Sequence, residues 1–255
     1  MVDRPLILVT NDDGISAAGI AALSGAMAPL GDVWVVAPDR ERSGVGHAIT
    51  LHDPIRVKPA GEQRFACDGT PTDCVFLGVH ALLPRAPDLV VSGINHGPNL
   101  ADDVTYSGTV SGAMEGAIMG VPSIAFSLLG GADADFRPAA ELAAAVAQWV
   151  LERGLPARTV LNVNIPDTQG QRLTGFRWTR AGVRDYGHAV IQQQDPRGRT
   201  MYWIGSQIGF EPLEGSDCNA VQEGVAALTP IYLDMTHHEL LGAVSMQDLP
   251  GFERR

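Results

Sequence analysis

Asn11-Asp12-Asp13-Gly14 sets two carboxylates side by side directly after an apolar run, Leu6 to Thr10. Adjacent carboxylates repel and lose hydration unless something compensates, and a hard divalent cation does so through oxygen ligands. The same residues also suit a turn that caps the following helix, so taken alone the motif divides between the two readings. A second polar stretch, Asp39-Arg40-Glu41-Arg42-Ser43-Gly44, follows the apolar run 33–37. Ser43 could give a hydroxyl oxygen to a metal, and Arg40 or Arg42 could hold a phosphate by paired hydrogen bonds, where the alternative is a solvated surface loop. His47, in the glycine-rich stretch that follows, is read as incidental.

The densest stretch is Ser92-Gly93-Ile94-Asn95-His96-Gly97-Pro98-Asn99, continued by Tyr106-Ser107-Gly108-Thr109-Val110-Ser111-Gly112. Asn95 and Asn99 each carry an amide oxygen suited to a metal. Ser107, Gly108 and Thr109 open a predicted helix, where unpaired backbone N–H groups and the helix dipole favour an anion. The structural alternative is that these glycines only allow a helix to pack tightly on a sheet. Asp, Asp, Ser and Asn oxygens thus come from three separate loops, together with a phosphate cradle.

The elements that must position these residues alternate. Leu6–Thr10, 33–37, 89–93, 123–127 and 160–165 read as buried strands, and 17–30, 110–119 and 138–153 as helices. Strand–helix alternation predicts an α/β fold, a Rossmann-like, mostly parallel sheet with helices on both faces. Ligands bind such sheets at the carboxyl ends of strands, where all three loops lie. After Pro166 the pattern changes to aromatic–polar alternation at 176–180 and 201–204, with a polar stretch 192–198 between them and a further candidate strand at 225–231. The expectation is one unit over 1–255, with an α/β core over 1–166 and a hairpin-rich C-terminal lobe over 167–255 suited to oligomer contacts.

A net charge of −11 over 255 residues repels nucleic-acid polymers and anionic membranes, so an anionic substrate needs a local device such as a metal or a helix start. No apolar run reaches the roughly eighteen residues of a membrane span. Met1-Val2-Asp3 leads straight into the first strand without the pattern of a leader, and three scattered cysteines argue against a disulfide scaffold. A cytoplasmic location is the expectation.

Five ordered blocks now carry a resemblance: 8–14, 36–43, Gly69-Thr70-Pro71-Thr72-Asp73-Cys74-Val75, 91–99 and 107–113 are similar to the signature stretches of the SurE nucleotidases, and the likeness runs from Leu6 to about Pro230. The resemblance implies a phosphomonoesterase that hydrolyses nucleoside 5′- and 3′-monophosphates. It implies one Mg²⁺ or Mn²⁺ held by Asp12, Asp13, Ser43 and Asn95, and phosphate contacts from Asn11, Ser107, Gly108 and Thr109. It further implies a homodimer or homotetramer with exchanged C-terminal segments. The expected mechanism is direct attack of water activated by the metal, with Asp12 or Asp13 as the catalytic carboxylates. Two rivals are a covalent aspartyl-phosphate route, disfavoured because the carboxylates are adjacent and lysine is nearly absent, and a non-catalytic nucleotide-binding module. Residue types and spacing point to metal, phosphate and hydrolysis; nucleotides come from the resemblance alone. Tyr106 is the candidate for stacking on a base or ribose.

Overall fold

The computed structural model describes residues 4–130, 134–173, 175–185, 190–204 and 209–244. The residues on which the leader reading rests, 1–3, and the end of the C-terminal segment, 245–255, lie outside that set.

Strand β1 (Leu6–Thr10) is buried along its whole length, between β2 (Asp32–Pro38) and β5 (Leu89–His96), both parallel to it. Its side chains alternate between two apolar layers, as a strand covered on both faces must. Ile7 and Val9 pack with α1 (Ala18–Met27) and α4 (Arg137–Arg153), whereas Leu8 joins Val36, Val75 and Val90 on the opposite face. That second face carries α2 (Pro71–Leu77) and α3 (Gly108–Ile118). Strands β6 (Ser123–Leu129) and β7 (Thr159–Pro166) extend the parallel sheet beyond β5. Fully buried Ile124, Phe126 and Leu161 each contribute roughly 1.5–3 kcal/mol of burial to this core. The α/β class and the helices on both faces are as expected.

Helix α4 buries Ala139, Ala143, Val146, Ala147 and Val150, a single stripe at helical spacing. Gly154 ends it at φ +72°, in the left-handed region that only glycine enters without strain. On the other face, Gly108, Gly112 and Gly116 form a stripe that lets α3 press onto the sheet. A Cβ at Gly112 would lie 2.9 Å from the Thr10 methyl, and one at Gly116 would lie 2.4 Å from Ser123 Oγ.

Among the described residues the sheet has nine strands, in the order β3-β4-β2-β1-β5-β6-β7-β13-β8. One edge is the hairpin β3 (Val57–Gly61) and β4 (Arg64–Cys67), which the sequence reading does not contain. The strand expected at 225–231 is β13 (Ala226–Tyr232), antiparallel to β7, and β8 (Phe176–Trp178) lies beyond it. Both belong to the core sheet. What stands apart is a short pairing of β9 (Arg184–Asp185) with β12 (Gly209–Phe210) and an exposed ribbon of β10 (Val190–Gln194) and β11 (Thr200–Ile204). The polar stretch expected between hairpin strands is therefore itself partly strand. Two short helices, α5 (Asp217–Gln222) and α6 (His238–Val244), complete the described chain. Among the described residues no helix is long and apolar enough to cross a membrane.

The chain passes from β1 to β2 on one side and returns to β5 on the other, so the order of strands reverses between β1 and β5. A crevice outside the carboxyl ends of two such strands is where open α/β sheets bind ligands.

Candidate active site

Asp12 and Asp13 stand at that crevice, one and two residues past Asn11. The Asn11 side-chain amide donates to the Gly14 carbonyl at 3.0 Å, and Gly14 takes φ +98°. A side chain at Gly14 would lie 3.1 Å from the Arg40 carbonyl carbon, so the turn needs glycine for its approach as well as for its angle. The loop after β2 is tied to the turn by backbone bonds from Arg42 to Asp12 (2.7 Å) and from Ile15 to Pro38 (2.8 Å).

Asp12 is 3% exposed, and its Oδ1 accepts a hydrogen bond from the Thr109 hydroxyl. Burial pushes its pKa up to about 6, and the Asp13 charge adds to the rise while Thr109 opposes it. Asp13 is half-buried, and its carboxyl is also raised by burial, against the pull of the His96 backbone N–H at 3.3 Å. Glu41 adds a further negative charge beside it. Two carboxylates held in partial desolvation with a third nearby concentrate negative charge at the site.

Asn95 comes from the end of β5, just past the break in its register with β6. Its amide nitrogen donates to the Gly97 carbonyl at 2.9 Å, and its Oδ1 lies 3.5 Å from the same Thr109 hydroxyl that meets Asp12. Asp12, Asp13, Asn95 and Thr109 are thus brought together. Ser43 is carried to the same side by the Arg42–Asp12 bond, but it is exposed and its hydroxyl donates to Glu41 at 2.9 Å.

Ser107 caps α3: its Oγ accepts from the Val110 N–H at 3.0 Å, while its own N–H donates to the Asp103 carbonyl at 3.1 Å. A Cβ on Gly108 would lie 2.8 Å from the Asp12 Cβ and 2.9 Å from its Oδ2. The tight-packing reading of these glycines therefore holds together with the ligand reading, since the close approach delivers the helix start to the carboxylate.

Several candidates are placed elsewhere. Asn11 is fully buried, with its N–H₂ on the Gly14 carbonyl and its Oδ1 without a hydrogen-bond partner. Asn99 is locked into a clamp with Asn162, Asn164 and Ser127, its side-chain nitrogen donating to Ser127 Oγ at 2.8 Å. Arg42 turns its guanidinium to the Asp68 carbonyl, and Arg40 lies exposed beside Asp39. His47 pairs with Glu115 of α3 at 2.9 Å, holding the glycine-rich loop down. Tyr106 is 62% exposed beside the cradle, with its carbonyl accepting from the Gly46 N–H. The sequence reading missed Thr109 as a partner of Asp12 and His96 as a backbone donor to Asp13, neither of which has a local signal. An apolar cleft of about 260 Å³, lined by Leu142, Trp149, Phe176 and Trp178, lies between α4 and the sheet edge, away from this chemistry.

The donor set fits a divalent cation. No cluster of three His, Cys, Asp or Glu side chains suited to a metal occurs among the described residues, so a cation here would rely on the two carboxylates and neutral oxygens. That is the preference of Mg²⁺ or Mn²⁺. The raised Asp12 and the buried, unpartnered Asn11 Oδ1 mark a polar pocket short of positive charge.

Fold and site together define a Rossmann-like α/β protein with an acidic, all-oxygen site at its topological switch point, backed by a helix start. A model of the family described as survival protein SurE matches residues 7–188. A protein of Geobacter sulfurreducens named 5′-nucleotidase SurE is 54% identical over 245 residues, 95% of this chain and 94% of its own. One of the same name from Myxococcus xanthus is 50% identical over 97% of this chain and 95% of its own. The crystal structure of the SurE protein from Aquifex aeolicus superimposes with a TM-score of 0.85 at 43% identity, covering 96% of this chain and all of that one. The chain belongs to the SurE family.

Proposed function

We propose that the chain is a metal-dependent phosphomonoesterase that hydrolyses nucleoside 5′-monophosphates, and 3′-monophosphates as well, to nucleoside and phosphate. The nucleotidase reading is supported by the relatives named 5′-nucleotidase, which span almost the whole chain. The observation that carries the chemistry is the packing of the start of α3 onto Asp12, which sets an anion-attracting helix end against a carboxylate pair. A cation between them would let an anion and two carboxylates share one crevice.

Asp12, Asp13, Asn95 and Ser43 would hold one Mg²⁺ or Mn²⁺, with Ser43 first releasing Glu41. Such an ion neutralises phosphoryl oxygens and lowers the pKa of a water it contacts. The Gly108 N–H, on the first turn of α3, and the Ser107 hydroxyl orient the phosphate. Thr109 fixes the Asp12 carboxylate through Oδ1. One of Asp12 and Asp13 takes the proton of the attacking water, Asp13 being the less buried of the two. A covalent route through Asp12 is disfavoured by its burial and its bond to Thr109.

The molecule acts as a single unit whose region 167–255 meets further copies, as a homodimer or homotetramer with exchanged C-terminal segments. It works in the cytoplasm, in keeping with three buried, unpaired cysteines. The test is a panel of 5′- and 3′-nucleoside monophosphates assayed with Mg²⁺, Mn²⁺ or EDTA. Turnover of the 5′ esters that EDTA abolishes is expected, and no turnover with either metal would refute the proposal.

A further inference from the structure

The turn that delivers the phosphate cradle is not held by the α/β core alone. Ala101, six residues before Ser107, is 2% exposed and adopts φ +51°, a left-handed conformation unfavourable for alanine. Its N–H donates at 2.9 Å to the Oδ2 of Asp217, which lies 116 positions later in the chain at the start of α5. Asp217 is fully buried, and its Oδ1 accepts from the N–H groups of Gly182 and Cys218, both at 2.8 Å. A side chain in place of Gly182 would lie 3.0 Å from that oxygen, so the carboxylate is closely enclosed.

A second tie lies one and two residues further along the same turn. The Arg184 guanidinium, 9% exposed, pairs with Asp103 through Nε at 2.7 Å and through Nη2, while the Arg184 N–H donates to Asp102 at 2.9 Å. The carbonyl of Asp103 in turn accepts the N–H groups of Tyr106 (3.0 Å) and Ser107 (3.1 Å). One hydrogen-bonded path therefore runs from Arg184 through Asp103 to the cap of α3.

We infer that Asp217 and Arg184 are positioning residues for the phosphate site: the C-terminal region clamps the 101–106 turn and so sets Ser107, Gly108 and Thr109 against Asp12. Asp217 lies outside the stretch 7–188 matched by the family model, and neither residue stands among the oxygens that would hold the cation. The clamp rests on the phosphatase reading proposed above. It acts first on the half of the site that binds phosphate, and reaches the metal half only through the Thr109 hydroxyl on Asp12.

The experiment uses full-length Asp217→Asn and Arg184→Gln proteins with two probes, Mn²⁺ alone and inorganic phosphate as a competitor of an aryl phosphate. The inhibition constant for phosphate should rise about tenfold in both variants, equivalent to about 1.4 kcal/mol of lost binding, with a clearly smaller change in the Mn²⁺ activation constant. Arg184→Gln breaks a tie at the rim and keeps the comparison available if Asp217→Asn does not fold. Unchanged phosphate affinity in folded variants would overturn the clamp. Parallel loss of Mn²⁺ and phosphate affinity would also overturn it, because the residues would then hold the fold and not the cradle. Absence of phosphate binding and turnover in the wild-type protein would instead refute the underlying phosphatase reading.

Discussion

At the scale of single residues, Asp12 is where stability and chemistry conflict. Its folded pKa of about 6 lies above the unstructured value of 3.8, so the folded state holds the proton more tightly. Stability then falls as pH rises from about 4 to about 6, because over that range the unfolded chain has already ionised. The shift of about two units corresponds to about 3 kcal/mol of penalty at neutral pH. Asp12→Asn removes the charge. In metal-free protein the variant should be about as stable as wild type at pH 4 and more stable by about 2–3 kcal/mol at pH 7, in denaturant titrations at both pH values. Its phosphatase activity should fall by about 10²–10³-fold or more. Added Mn²⁺ at pH 7 should raise the melting temperature of wild type but not of the variant, since binding to the folded state alone stabilises it. A variant that keeps full activity would remove Asp12 from the site.

Helix α3 concentrates the element-scale demands. Its glycine stripe faces the sheet, and the first of the three abuts Asp12. Gly108→Ala should cost about 1–3 kcal/mol of stability, because the new Cβ meets a carboxylate that Thr109 also holds. The same change should lower kcat/KM by about 10²-fold through displacement of the cradle. Gly25 in α1 is the control: it is exposed, and its Cβ would meet nothing within 4 Å. Gly25→Ala should raise stability by about 0.5–1 kcal/mol and leave kinetics unchanged. Thermal melts and steady-state rates on the two variants separate the cases. Some elements left a signal that could have been read. Thr70-Pro71-Thr72-Asp73 opens α2 with an N-cap threonine, proline in the first turn and a reciprocal aspartate, a complete capping box. Strands β3 and β10 left little, because β3 is largely exposed and contains Pro59, and β10 is exposed throughout and rich in glutamine.

For the whole molecule, the outstanding feature is the β10–β11 ribbon. Ile191, Tyr202, Trp203 and Ile204 are all exposed on a two-stranded ribbon, which in isolation is marginally stable in water. A ribbon so apolar calls for cover, in line with the oligomer proposed above. Trp203→Ser combined with Ile204→Ser should shift light-scattering mass toward the monomer while leaving the fold of residues 6–166 intact by circular dichroism. An unchanged oligomer would place the contact elsewhere.

The sequence by itself determined the elements and the loops that carry oxygen. Apolar periodicity and turn chemistry act over a few residues, so Leu6–Thr10, 123–127 and 138–153 could be read as strand, strand and helix, and Asp12, Asp13 and Asn95 could be set at strand ends. Tertiary structure alone decided which of these ends share a crevice, through the strand order that reverses between β1 and β5. It turned Asn99 into a support, sent Arg42 to Asp68, and gave Asp12 its hydroxyl partner 97 positions away. It also drew 225–231 into the core sheet and brought Asp217 to Ala101. These contacts join residues far apart in the chain, and no local pattern encodes which distant backbone or side chain will arrive, because that depends on how the whole sheet and its covering helices pack.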